Sequence, residues 1–380
     1  MIDPNVFLKT FIKSDIRFFT GVPDSLLKEV CSCFSDQLKN NSHIIATNEG
    51  AAISLGIGHY LASSRPALIY LQNSGLGNII NPLISLSHKD IYSIPAILLI
   101  GWRGEILESG MQKADEPQHR VQGRITCEQL ELLGIKYKII DASTTNIEEI
   151  INDVISASII ESSPIALLVR KNTFSKYKKN LLFQTSKYSL REEIIKSILI
   201  NTSPETIIVA TTGMASREVF EARENLKQNH SKDFLTVGGM GHASQIAAGI
   251  AIEQPNRKVL CIDGDGALLM HTGSLAISAG CPNLIHILIN NCAHDSVGGQ
   301  PTKADSIDLS KLAKIFGYKI TKKVSDINQL TKTLEECKNN NESTFIEVMS
   351  SKGSRADLGR PTSTPLQNKV SFMKTLSINV

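Results

Sequence analysis

The sequence predicts an α/β protein of two similar domains, each a mainly parallel sheet flanked by helices. Short apolar, strand-like runs alternate with longer helix-like segments along all 380 residues, the pattern left by parallel strands joined through helical crossovers. The composition, 42% hydrophobic and 20% charged, is that of a folded chain and excludes disordered, fibrous and coiled-coil classes. The third observation is a repeat. In the first half NEGAAISLGIGHYLA leads into RPALIYLQNSGLGN and later IPAILLIGW. In the second, GGMGHASQIAAGIAIE leads into RKVLCIDGDGALLM and then CPNLIHILINN. Each reads as small-residue helix, strand, Gly-x-Gly turn, helix, strand.

The elements follow in order. Strand-like runs fall at 67–71, 96–100, 166–169, 207–210, 259–262, 285–289 and 345–348, with a further short one at 43–46. The glycine turns at Gly75 and Gly264 stand 189 positions apart, and Pro95 and Pro282 stand 187 apart. So constant an offset implies one topology used twice, with a ligand bridging the two copies. A polar stretch over 171–188 carries Lys171, Lys176, Lys178 and Lys179 without an acid and reads as a solvated linker. The expected division is a domain over 1–172, a linker over 173–188 and a domain over 189–380.

Bulk properties narrow the function classes. Forty Lys+Arg against 37 Asp+Glu give a net charge of +3, too balanced for a nucleic-acid partner on charge alone. The longest apolar stretch, 94–100, is far short of the roughly 20 residues of a membrane span, and Asp3 sits where a secretory leader would be basic. Seven scattered cysteines without a CxxC pair read as reduced thiols of a cytoplasmic protein rather than a zinc site.

Gly264-Asp265-Gly266 directly follows a strand-like run, so Asp265 is expected in the crevice at a strand's carboxyl end, where open α/β sheets bind ligands. Glycines there let the backbone approach a diphosphate. Asn290-Asn291 ends the next strand, with 23 residues between Gly266 and Asn290. A carboxylate and an amide oxygen converging with a backbone carbonyl and diphosphate oxygens make the oxygen shell that Mg²⁺ prefers. Upstream, Gly239-x-Gly241 admits an NAD-linked oxidoreductase reading, but Ser244 occupies the third glycine position of that fingerprint.

The Gly-Asp-Gly turn with its Asn-Asn partner resembles the diphosphate-binding motif of thiamine diphosphate (TPP) enzymes. The resemblance implies that Asp265, Asn291 and the Ala293 carbonyl hold Mg²⁺, with Gly264, Gly266 and Ala267 against the diphosphate. It also implies that Met240 wedges the cofactor into a bent shape and that the Gly238 carbonyl, beside Gly239, accepts its 4′-amino group. Thr212, Gly213 and Met214 would add diphosphate contacts. Two departures stand out: the spacing is at the family's short end, and Cys292 stands where glycine is more usual. In the first half, Thr47-Asn48-Glu49-Gly50 places a carboxylate at the start of a small-residue helix. On spacing alone it is a dipole-favoured surface acid; by the resemblance it is the activating glutamate, hydrogen-bonded to N1′ of the aminopyrimidine. A homodimer or higher homo-oligomer, with the site between subunits, is implied in the same way.

Segments along essentially the whole chain resemble the phosphonopyruvate decarboxylases, a TPP-binding fold without a middle domain: FFTGVPDSLL, YLQNSGLGNIINPL, SIPAILLIGWRGE, DEPQHRVQGRIT, AHDSVGGQPT and SRADLGRPTSTP. The sister sulfopyruvate decarboxylases share much of this framework. The expected substrate is a 2-oxo acid with an anionic tail, which calls for cationic donors, arginine above all for its bidentate fork. Arg103, Lys113, His119 and Arg120 sit on one Gly/Pro-bearing loop beside Trp102, with Lys352, Arg355 and Arg360 near the C-terminus. His119 is the leading polar catalytic candidate and His294 the second. Asp24 and Ser25 occupy a turn where related enzymes place a substrate-side polar residue. A non-catalytic partner subunit is disfavoured because Glu49 and the metal ligands share one chain.

Overall fold

Apolar runs too short to be helices become strands once helices cover both faces of the sheet they form. The computed structural model describes residues 1–39, 41–178 and 187–377. The chain divides into two units, Met1–Phe183 and Gln184–Val380. In the first, β1 (Phe19–Gly21), β2 (His43–Ile45), β3 (Ala67–Gln72), β4 (Ala96–Gly101), β5 (Lys136–Ile140) and β6 (Ile165–Val169) form a parallel sheet of order β2-β1-β3-β4-β6-β5. Apolar clusters cover each face, one containing Phe7, Phe34 and Leu99, the other Ile53, Ile79 and Leu98.

The second unit holds β7 (Ile207–Ala210), β8 (Asp233–Leu235), β9 (Val259–Gly264), β10 (Leu284–Asn290), a small antiparallel ribbon of β11 (Ala293–His294) and β12 (Gln300–Pro301), β13 (Ile320–Val324) and β14 (Thr344–Met349). Its parallel sheet has the order β13-β14-β10-β9-β7-β8. Leaving out the ribbon and numbering each unit's strands from its own first, both sheets read 2-1-3-4-6-5. The repeat seen in the sequence is thus one topology used twice. In each copy the strand order reverses between the first and third strands, and the crevice at their carboxyl ends is the ligand position of such sheets.

The buried strands fall within two residues of the expected runs. Two of the strands that patterning missed are polar edges: β5 (KYKII) and β13 (ITKKV) carry exposed lysines, the usual protection of an unpaired edge. Composition misplaced the linker's start. Thr173 is buried with its hydroxyl donating to the Arg170 carbonyl at 2.7 Å. Phe174 packs edge-on against Phe7 at 5.0 Å, and Tyr177 donates to Asp36 at 2.7 Å. Residues 173–178 therefore belong to the first unit's packing; the rest of the proposed linker through 186, Lys179 included, lies outside the described residues. Among the described residues no helix is long and apolar enough to cross a membrane.

Candidate functional site

In the second unit the reversal point lies between β7 and β9. Thr212-Gly213-Met214 leaves the end of β7 and Gly264-Asp265-Gly266 leaves the end of β9, so two segments singled out from the sequence face the same crevice. Gly213 has φ +91° and starts the helix Met214–Asn225. A Cβ on Gly264 would meet nothing within 4 Å, whereas one on Gly266 would stand 3.0 Å from the His294 ring and 3.3 Å from the Met240 methyl. Gly266 is required where His294 and Met240 close in. Gly239 and Gly241, at φ +63° and +90°, shape the turn that carries Met240.

Asp265 is 2% exposed and accepts a hydrogen bond from the Thr302 hydroxyl. Burial pushes its carboxyl up to about 6, against the pull of Thr302 and of backbone N–H groups including that of Asn291. The Asn291 amide nitrogen donates to Asp295 at 2.6 Å, while its oxygen accepts from the Ala293 N–H at 3.0 Å. Asn290 turns the other way: its amide donates to buried Glu347 at 2.9 Å and its oxygen takes the Cys292 N–H at 3.1 Å. That bond accompanies the left-handed Cys292, φ +54°, the conformation for which glycine is the easier residue. His294 is buried and pushed down to about 4 by desolvation, so it is neutral at neutral pH. Buried oxygens of Asp265 and Asn291, next to an open glycine turn, fit a hard dication with a diphosphate.

In the first unit Glu49 opens the helix Glu49–Ser63, capped by Asn48, whose side chain accepts from the Ala51 N–H at 2.8 Å. Sequence spacing alone would have put this acid on the surface, yet it is 6% exposed. Burial holds its carboxyl above the usual carboxylate range, opposed by Asn78, whose amide donates to Oε2 at 2.7 Å. Room for the other oxygen comes from Gly75, where a Cβ would stand 2.6 Å from Oε1. Gly75→Ala is therefore expected to displace Glu49 and lower turnover at least tenfold with little loss of thermal stability. Steady-state rates beside a melting curve check this, and unchanged turnover would mean that Glu49 needs no fixed position.

Asp24 is fully buried, its oxygens taken by Gln72 Nε2 at 2.6 Å and the Leu26 N–H at 2.8 Å. Burial raises its carboxyl pKa. It braces the turn after β1; Ser25, half-buried beside it, accepts from Arg103 Nη1 at 3.0 Å. The cationic candidates come paired. Arg103 grips Asp115 with Nε at 2.7 Å and Nη2 at 2.5 Å. Lys113 meets Glu105 at 2.8 Å, and Arg355 sits among Glu192, Glu221 and Asp357. The expectation of a single loop carrying four donors is corrected: His119 and Arg120 lie in the helix Pro117–Leu132, which Pro117 starts. Arg360 is exposed. Sequence reasoning missed Asn78, Thr302, Asp295 and Glu347. The signal for Asn78 and Thr302 was their place inside segments already quoted, NSGLGN and GGQPT.

Residues 211–348 match the family described as thiamine pyrophosphate enzyme, C-terminal TPP binding domain, which defines the class as a TPP-dependent enzyme. That match spans the Gly239-x-Gly241 turn and leaves the NAD-linked reading no segment of its own. The chain is 30% identical to the phosphonopyruvate decarboxylase of Streptomyces viridochromogenes over 365 residues, 91% of this chain and 88% of the relative. To that of Streptomyces hygroscopicus it is 30% identical over 383 residues, 96% and 92% of the two chains. The sulfopyruvate decarboxylase of Methanosarcina acetivorans is 28% identical over 364 residues, 90% and 89%. The chain belongs to the TPP-dependent decarboxylase family that includes the phosphonopyruvate decarboxylases, and it is a carboxy-lyase.

Proposed function

We propose that this enzyme uses TPP and Mg²⁺ to convert 3-phosphonopyruvate to phosphonoacetaldehyde and CO2, a step of phosphonate biosynthesis. The observation that carries the reading is similarity along almost the whole chain to two phosphonopyruvate decarboxylases. When bound, TPP supplies a carbon nucleophile and an electron sink for the departing carboxylate. The chain's own groups do the rest. Glu49 holds a proton at the aminopyrimidine N1′, with Asn78 fixing one carboxylate oxygen and burial raising the carboxyl above its ordinary value. Asp265, Asn291 and the Ala293 carbonyl hold Mg²⁺ against the diphosphate, with Thr212, Gly213, Met214, Gly264, Gly266 and Ala267 around it and Met240 as the apolar wedge. In this scheme the first unit binds the pyrimidine and the second the diphosphate.

Loss of CO2 leaves a carbon that must take up one proton. His119 is the proposed donor; His294, neutral at neutral pH, acts through hydrogen bonds rather than charge. Arg103, Lys113, His119, Arg355 and Arg360 are the donors proposed for the phosphonate tail. Arg103, Lys113 and Arg355 would share their present carboxylate partners with it, and Ser25 steadies Arg103. The active species is proposed to be a homodimer or higher homo-oligomer, in the cytoplasm, where seven unpaired cysteines stay reduced. A monomer in sedimentation at assay concentrations would sink the oligomer.

The second reading is sulfopyruvate as substrate, favoured by the 28% identity to a sulfopyruvate decarboxylase. Turnover of the two acids, each with and without TPP and Mg²⁺, decides between them by aldehyde formation. Cofactor-dependent preference for phosphonopyruvate is expected, by tenfold or more in kcat/KM. A reversed preference would replace the substrate and keep the catalytic residues.

A further inference from the structure

An amide ligand has two ends of nearly equal size and opposite character. Its oxygen coordinates a cation; its NH2 group repels one. Which end faces a metal is therefore set by whatever grips the other end. At Asn291 that grip is Asp295, a residue to which neither the family resemblance nor the comparisons give a role. Asp295 Oδ2 accepts from Asn291 Nδ2 at 2.6 Å, from the Gly353 N–H at 2.9 Å and from Arg191 Nη1 at 3.2 Å. Arg191 is in turn held by Glu218 through a two-pronged pair at 2.7 and 3.0 Å, with both side chains buried. The Arg191 charge is thus already balanced, and what Asp295 contributes toward Asn291 is an oxygen that can only accept.

We propose that Asp295 is a positioning residue: it locks the Asn291 amide with nitrogen inward and oxygen toward the metal, braced by Arg191 and Glu218. The Ala293 N–H, donating to Asn291 Oδ1 at 3.0 Å, favours the same orientation and leaves that oxygen a second lone pair. The Gly353 N–H ties the same carboxylate to the loop that carries Arg355. Asp295 therefore joins the proposed metal site to a segment proposed to meet the substrate. Outer partners of metal ligands carry effects of this kind, typically 10–100-fold in metal affinity.

The inference rests on the Mg²⁺ reading of Asp265 and Asn291, and the test separates the two. Mn²⁺ binding to the full chain in the presence of TPP is followed by the electron paramagnetic resonance of free Mn²⁺, with melting curves as the folding control. Asp295→Ala is expected to weaken Mn²⁺ binding 10–100-fold. Asp295→Asn, which keeps an acceptor oxygen for the three donors, should stay within about threefold of wild type. In an Asn291→Ala background Asp295→Ala should add less than about threefold, because a residue acting through Asn291 has nothing left to orient. Wild-type affinity in Asp295→Ala overturns the inference, as does additivity in the double variant or an Asn variant as weak as the Ala one. If Asp295→Ala does not fold, Asp295→Leu, similar in size and unable to accept, takes its place. A wild-type chain that binds no Mn²⁺ with TPP overturns the metal reading, and this inference falls with it.

Discussion

Glu49→Gln is expected to lower kcat by about 10²–10⁴-fold, the range of a lost general acid–base group, while TPP still binds. The substitution keeps the size of the side chain, and the amide oxygen of the new residue can still accept from Asn78, which now donates to Glu49 at 2.7 Å. What is lost is the ability to hold and release a proton. The fold should not suffer. Burial raises the Glu49 pKa, so the folded state binds this proton more tightly than the unfolded chain does. The ionised carboxylate then costs stability at neutral pH, and that cost disappears as pH falls through the folded pKa. Glu49→Gln should accordingly melt no lower than wild type at pH 7.5. Stopped-flow or steady-state turnover beside calorimetric TPP binding checks both halves, and near-normal turnover would remove Glu49 from the mechanism.

Asp265→Asn is expected to abolish Mg²⁺-dependent TPP binding and, at the same time, to stabilise the metal-free protein. The first effect follows from removing the only charged side chain among the proposed metal ligands. The second follows from burial: the carboxyl sits at about 6 against an unperturbed value of about 3.9. The difference is worth about 3 kcal/mol. Because the folded pKa is the higher one, this cost is complete above pH 6 and fades as pH falls from 6 toward 4. The variant should therefore be more stable than wild type in EDTA at pH 7.5 by about 2–3 kcal/mol and equal to it near pH 4. Denaturant midpoints at the two pH values, with titrations of TPP in Mg²⁺, read both effects. Retained Mg²⁺-dependent affinity would end the metal role, and an unchanged stability difference across pH would mean that burial does not strain this carboxylate.

The two-domain α/β architecture was legible because a parallel sheet covered on both faces needs continuous apolar strands, and those stand out from any background. The repeat was legible for a related reason. The same strand order demands glycine turns at the same places, and Gly75 and Gly264 mark the end of the third strand in each copy. The proposed diphosphate motif was readable because Gly264-Asp265-Gly266 and Asn290-Asn291 are local, each fixed by the strand before it. The polar edges β5 and β13 escaped since their lysines read as loop, and the linker's start was misjudged because Phe174 anchors a stretch that looks solvated.

The sequence by itself determined the class of fold and the family, and it singled out Glu49, Asp265 and Asn291 as the site proposed here, all from short-range patterns around strand ends. Only the tertiary structure decided how those groups are held. It paired Asn78 with Glu49 across two helices, set Thr302 on Asp265 from just beyond a ribbon, and drew Arg191, Glu218 and Gly353 around Asp295. It also engaged Arg103, Lys113 and Arg355 with carboxylates, which no reading of charge along the chain could anticipate. The reason is physical. A strand or a turn is specified by neighbours a few residues away, whereas the orientation of a buried polar side chain is set by whichever distant donor or acceptor can satisfy it once water has been excluded.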